Sequence, residues 1–310
     1  MKRLLMILIL GVVVVAFAQA QGERTAVPAD MLSEIGLNDK AAVLLVSFGT
    51  THDDTRAVTI DALYDKVRLI YPQLTVARSF TSRIILRRLK ARGLEFDSPI
   101  EAMEKLRAQG ITHLVIQSTN IIEGEEMESL RRDAETMRPF FKVIRLGTPL
   151  LYSVEDAEHV VDILVARHPA DVEQNAHILF VGHGTEGPAT AIYSQLDYMF
   201  KAAGHANHHV GTIEGYPTLD NALAQIQAAM GKQVTLVPLM FVAGDHAKND
   251  ISVDWKEALE DAGLQVQLNI EGLGEVPEVQ NIFLAHLRYA LQHRTRDIIE
   301  KKTEYAGQAD

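Results

Sequence analysis

Two stretches of the chain, 135 residues apart, repeat one another: Leu44-Leu45-Val46-Ser47-Phe48-Gly49-Thr50 and Leu179-Phe180-Val181-Gly182-His183-Gly184-Thr185. Each is a short apolar run closed by a Gly-rich turn, the pattern of a buried parallel strand that delivers its C-terminal end to a loop. The repeat continues in order. Residues 76–82 are matched by 210–216, 113–126 by 234–246, and 143–149 by 268–277. Four strand-like segments recurring in one order predict an α/β fold of two pseudo-repeated lobes, each a parallel sheet flanked by helices, with a cleft between them. Ligands of open parallel sheets sit beyond the carboxyl ends of the strands. In the second copy three strand ends carry His183, Glu214 and His246.

Between the strands the apolar residues follow a helical period. Helices are predicted at 59–70, 83–92, from Pro99 to Gly110, and at 154–167, the last crossing from the first lobe to the second. In the second lobe they fall at 193–203, 219–230, 253–262 and 278–293. Residues 41–168 and 169–310 then make the N-terminal and C-terminal lobes, with 21–40 as a polar leader and 301–310 as a frayed polar end.

Residues 1–20 read as a secretory signal peptide; an uncleaved N-terminal membrane anchor is the alternative, although the apolar run is shorter than a typical span of ~20 residues. Lys2 and Arg3 precede an apolar run from Leu4 to Phe17, and Ala18-Gln19-Ala20 fits a small-x-small cleavage site. The expectation is an exported, periplasmic protein without a membrane attachment after cleavage. With no cysteine there is no lipid anchor, disulfide, thiolate metal site or cysteine nucleophile. Loss of Lys2 and Arg3 takes the formal charge from −11 to −13, which argues against nucleic acid as a partner. A homo-oligomer is compatible with this composition.

The candidate chemistry lies at the strand ends. His183 is flanked by two glycines that let backbone or a flat ligand approach closely; a purely structural turn histidine is the alternative. His246 follows an apolar strand abruptly, beside Asp245 and Asp250, either of which can orient an imidazole; an N-cap cluster fits the same residues. Two imidazoles and the Glu214 carboxylate make a borderline-metal site with open positions, suited to Co²⁺, Fe²⁺, Ni²⁺ or Zn²⁺. Glu123, Glu125, Glu126 and Glu128 cluster in the matching loop of the first lobe, as a proton acceptor or as the acidic first turn of a helix. His205, His208 and His209 read as surface residues, and His52 faces the cleft mouth without an evident partner. Hydrolase, kinase and dinucleotide motifs are absent from the sequence.

These segments together are recognisable. VSFGT at 46–50, RSFTSRIILRRL at 78–89, IIEGEE at 121–126, FVGHGT at 180–185, IEGYP at 213–217, PLMFVAGDHAKND at 238–250 and GLGE at 272–275 resemble the class II tetrapyrrole chelatases. The likeness is greatest to their anaerobic, cobalt-inserting branch that acts on sirohydrochlorin, and it runs from about Ala41 to His293. The resemblance implies a metal chelatase that inserts Co²⁺, with Fe²⁺ as a second candidate, and needs no permanent cofactor. It implies that His183, His246 and Glu126 are catalytic and that His183, Glu214 and His246 hold the metal. Three segments depart from the family pattern: Thr119-Asn120 replaces a usual Leu-His, the stretch 249–255 is short of acids, and Thr185-Glu186-Gly187-Pro188 follows the His183 turn. A non-catalytic exported carrier of a tetrapyrrole, haem or metal is the rival reading on the same fold. A periplasmic solute-binding protein also has two α/β lobes, but does not need the His–Glu–His set.

Overall fold

The computed structural model describes residues 26–296 and 298–307. The signal peptide read at residues 1–20 lies outside the described residues. Among those described, no helix is long and apolar enough to cross a membrane.

Two four-stranded parallel sheets carry the fold. In the first, β2 (Ala41–Ser47), β3 (Thr75–Phe80), β4 (His113–Ser118) and β5 (Val143–Leu146) lie in the order β3-β2-β4-β5. In the second, β6 (Ala176–Gly184), β7 (His208–Glu214), β8 (Gln233–Pro238) and β9 (Gln265–Leu268) lie in the order β7-β6-β8-β9. The two orders are the same once the strands are renumbered within each half, so the duplication read from sequence is a duplication of topology.

Alternation along each central strand sorts side chains into separate cores. Ala42, Leu44 and Val46 point to one face of β2, packed on helices α3 (Pro99–Ala108) and α4 (Glu125–Met137). Leu179 and Val181 do the same on β6, against α7 (Leu219–Ala228) and α8, a helical run over 247–261. The opposite faces, with Val43 and Leu45 from one sheet and Phe180 from the other, belong to a single continuous core. Burial on both faces is why these strands read as apolar runs.

The closing helices weld that core. Helix α5 (Val154–Arg167) leaves the first lobe and packs on α6 (Ala191–Ala202) of the second. Helix α9 (Pro277–Gln292) returns to β4 and β5 of the first. Where they meet, His286 Nε2 lies 3.0 Å from Asp156 Oδ1. Burial raises the Asp156 pKa, but hydrogen bonds from His286 and Ser153 outweigh it and hold the carboxyl below its ordinary range. Arg145 donates to the carbonyls of Ala290, Leu291 and His293, satisfying acceptors that a helix C-terminus leaves open.

The two ends of the chain differ from the sequence reading. Part of the polar leader forms β1 (Ala26–Pro28), antiparallel to β10 (His293–Thr295), and Met31 is fully buried. Residues expected to be frayed at 301–307 belong to a helix, α10 (Ile298–Gly307); residues 308–310 lie outside the described residues.

His208 and His209 are also not surface residues: both are buried, because β7 begins at His208 and is flanked on its inner edge by β6. His209 Nε2 is 2.8 Å from His177 Nδ1, and His208 Nε2 is 2.8 Å from the His168 carbonyl. Half-buried His205 packs edge-on against the His208 ring. Burial, reinforced by the Lys201 charge, lowers the His209 pKa to about 4. Between pH about 6.5 and about 4 an unfolded His209 binds a proton that the folded one refuses, so stability falls as pH drops through that window. The loss attributable to this side chain is on the order of 3 kcal/mol. In urea titrations at pH 7 and pH 4.5, His209→Gln is expected to show a smaller acid loss than the parent; an equal loss refutes the assignment.

Candidate active site in the interlobe cleft

The carboxyl ends of both sheets open onto one cavity of about 670 Å³, lined from both lobes. The first lobe contributes Phe48, Ile84, Arg88, Ile121, Ile122, Glu125 and Glu126; the second contributes His183, Tyr193, Glu214, Asp245 and His246.

His183 is placed by its glycines. Gly184 has φ +82°, and a Cβ there would stand 1.5 Å from the Glu214 carbonyl oxygen. Only glycine lets β6 and β7 remain paired at their last register position, Gly184 opposite Glu214. A Cβ at Gly182 would stand 2.3 Å from the Tyr193 ring, so that glycine leaves room for the tyrosine against β6. Burial pushes the Tyr193 hydroxyl up to about 12, against a lesser lowering by a hydrogen bond with the Gly184 backbone, and it stays protonated.

The three candidate residues adjoin one another, but only His183 and Glu214 lie at strand ends: β8 stops at Pro238, and His246 stands at the start of the helical run that follows, because the apolar run 239–243 continues past the last ladder position as a loop. The His183 and His246 ring centroids are 4.6 Å apart and nearly perpendicular, at 84°. His183 Nδ1 is 3.9 Å from Glu214 Oε2. The side chains of His183, Glu214 and His246 are 43 %, 57 % and 45 % exposed, so a ligand can reach all three. His246 Nδ1 lies 2.6 Å from Asp250 Oδ2, one wide turn along the π-helical segment Ala247–Trp255. His183 Nδ1 lies 3.1 Å from the Gly184 carbonyl. Both acceptors require Nδ1–H, so the neutral form of each imidazole carries its lone pair on Nε2, where it can take a proton or a metal. Among the described residues, no group of three His, Asp or Glu side chains is already arranged to hold a metal ion.

The acidic cluster divides. Glu123 pairs with Arg131 and Glu128 with Arg132. Glu125 and Glu126, in the first turn of α4, line the cavity instead. His52 has a partner that the sequence did not disclose: its Nε2 is 2.6 Å from Asp245 Oδ1, across the cleft. Asp245 is therefore turned toward the first lobe, and Asp250 is the residue that orients His246. Sequence separation hid the first contact; the i,i+4 spacing of His246 and Asp250 was the visible sign of the second.

A sequence model of the cobalt chelatase (CbiK) family matches residues 41–292. The chain belongs to that family. It is 38 % identical over 257 residues to a sirohydrochlorin cobaltochelatase of Salmonella typhimurium, covering 81 % of this chain and 97 % of that one. Sirohydrochlorin cobaltochelatase CbiKC of Nitratidesulfovibrio vulgaris is 34 % identical over 258 residues, covering 81 % and 91 %. The chelatase fold is shared with SirB from Bacillus subtilis, solved with Fe³⁺, at a TM-score of 0.56 and 17 % identity over 81 % of this chain and 96 % of that one. It is shared too with SirB from Bacillus subtilis subspecies spizizenii in complex with cobalt, at 0.54 and 16 % over 81 % and 95 %. In this CbiK-family chain the cleft has His183 and His246 on the second lobe and Glu125 and Glu126 on the first.

Gly184→Ala tests how the site is positioned. A non-glycine residue at this φ costs about 1–2 kcal/mol before any clash, and the collision with the Glu214 carbonyl adds to it. A loss above about 2 kcal/mol is expected in chemical denaturation; a loss below about 0.5 kcal/mol contradicts the placement.

Proposed function

We propose that the protein is a sirohydrochlorin cobaltochelatase, inserting Co²⁺ into the tetrapyrrole with release of two protons. The observation that carries this reading is the pair of adjoining imidazoles, each with Nδ1 engaged and Nε2 free, in an open two-lobed cleft. Membership of the cobalt chelatase family and the activity named for both relatives support it.

Insertion exchanges two pyrrole N–H protons for one divalent cation. The site must therefore offer proton acceptors that work near neutral pH and metal donors that release their cargo. Imidazole meets both needs, since small shifts carry it across working pH. In our reading His183 and His246 present Nε2 to the metal and to the pyrrole protons. Glu214, close to His183, adds an oxygen donor and stabilises the imidazolium that forms. Glu126, on the facing lobe, is the second proton acceptor. Nitrogen and carboxylate donors with open positions suit a borderline divalent ion that is handed on. The cavity, about 670 Å³, falls in the usual range for small-molecule sites, and apolar Phe48, Ile84 and Ile121 suit the flat macrocycle.

We further infer from residues 1–20 that the mature protein works outside the cytoplasm. N-terminal sequencing of the exported form is expected to begin at Gln21.

His183→Ala and His246→Ala are each expected to reduce insertion at least about 100-fold, as loss of a general base does, with circular dichroism unchanged. Activity within threefold of the parent in either variant sinks the assignment. Asp250→Asn leaves His246 in place but weakens the preference for Nδ1–H; a fall of about tenfold is expected, comparable to loss of an outer-shell partner. Irving–Williams ordering gives such a donor set no intrinsic preference for cobalt or iron over nickel or copper. Anaerobic assays are expected to show insertion of both Co²⁺ and Fe²⁺ into sirohydrochlorin, followed by absorbance. Iron insertion without cobalt insertion overturns the cobalt assignment, and insertion of neither metal favours an exported carrier.

A further inference from the structure

The charge around the cleft is lopsided. Among the described residues five acids line it, Glu125, Glu126, Glu186, Glu214 and Asp245, against a single permanent cation, Arg88. Of the four basic residues on α2 (Arg83–Ala91), namely Arg83, Arg87, Arg88 and Lys90, Arg88 alone reaches the cavity wall. A ring carrying many carboxylates meets repulsion almost everywhere in this cleft except at that edge.

Arg88 is already occupied. Its Nη1 donates to Asp245 Oδ2 at 3.2 Å, while His52 Nε2 lies 2.6 Å from the other oxygen, Asp245 Oδ1. Two donors from the first lobe thus hold one carboxylate of the second. Arg88 and Asp245 are both more than half exposed, at 57 % and 52 %. The pair is open to exchange with an incoming anion.

We propose that Arg88 and His52 form the carboxylate-binding edge of the cleft, and that Asp245 occupies it as an internal carboxylate until the tetrapyrrole arrives. This rests on the chelatase reading and specifies how that site chooses its ligand. Replacing Asp245 by a substrate carboxylate conserves the donors' partners, so the exchange costs little for a polyanionic ring. An uncharged ring offers no replacement, and the Arg88–Asp245 pair then stays across the entrance. That is selection against the wrong ligand by an internal competitor. When Asp245 lets go, the second lobe keeps another tether to the first, Lys248 Nζ at 3.6 Å from Asp54. The exchange also sets the orientation of the ring. One edge of its rim meets Arg88 and His52, and one face of the ring then presents its central nitrogens to His183 and His246.

A double-mutant cycle on ligand binding decides this. Metal-free sirohydrochlorin is titrated against the parent, Asp245→Asn, Arg88→Gln and the double variant, with fluorescence as the readout and thermal melting as a check of folding. Asp245→Asn keeps the shape and an oxygen acceptor for His52 but removes the competing charge. It is expected to bind the ring about fivefold more tightly, the scale of an exposed ion pair, and the gain should shrink in high salt. Arg88→Gln should bind about fivefold more weakly, and Asp245→Asn should bring no gain in its presence. If Asp245 instead serves only to brace the lobes, Asp245→Asn binds no better than the parent; that result, or a gain that persists without Arg88, overturns the proposal and leaves the chelatase reading standing. A parent protein that does not bind the ring at all overturns the chelatase reading itself, and the proposal with it.

Discussion

One apolar layer between two sheets fixes everything that the cleft can do. Val43 and Leu45 on one sheet and Phe180 on the other are packed into the same core, closed by two helices that each lie partly on the other lobe. The Phe241 and Phe283 rings, 5.4 Å apart and edge to face, tie the second lobe to the returning helix within it. Because that layer is shared, the lobes cannot drift independently, and the ends of both sheets face one space. A close-packed core resists small displacements, which is the condition for two imidazoles to stay at a centroid separation of 4.6 Å.

The site built on that frame separates two tasks by geometry. The imidazoles stand on the second lobe with their Nδ1 atoms tied to a carbonyl and a carboxylate. The acids of the first lobe face them from the first turn of a helix, where negative charge is favoured by the dipole. A divalent cation and two departing protons both carry positive charge, and a cleft whose charged lining is mainly carboxylate attracts the former and drains the latter. The same field repels the rim of a polyanionic ring. A cation at one edge, held in check by Asp245, resolves the conflict by giving the rim one place to go.

Much of this was legible in the linear order of residues. The eight strands of the two sheets, their parallel sense and the crossing helix 154–167 follow from apolar runs, spacing and the internal repeat. The strand-end positions of His183 and Glu214 follow from the same pattern, because a buried strand must end where its apolar run ends; His246, read as a strand end too, stands eight residues beyond Pro238, the last residue of β8, at the start of the helical run that follows. His208 and His209 were misread, since histidines beside a Gly/Asn loop carry no local mark of burial. Their placement is set by β6 and by His177 and His168, all distant in sequence. The helix over 301–307 was missed because a polar segment carries a weak period, and its neighbour β10 is held by a strand from the opposite end of the chain.

The sequence by itself determined the duplicated α/β architecture, the family, and which residue types stand at the strand ends. Tertiary structure decided which nitrogen of each histidine is free, which aspartate serves which histidine, and which of the clustered glutamates reach the cavity. The division has a physical cause. Strand periodicity and glycine turns act over a few residues, and their signals are written locally. Hydrogen-bond partners across the cleft, such as His52 and Asp245, are 193 residues apart and meet only because two sheets share one core.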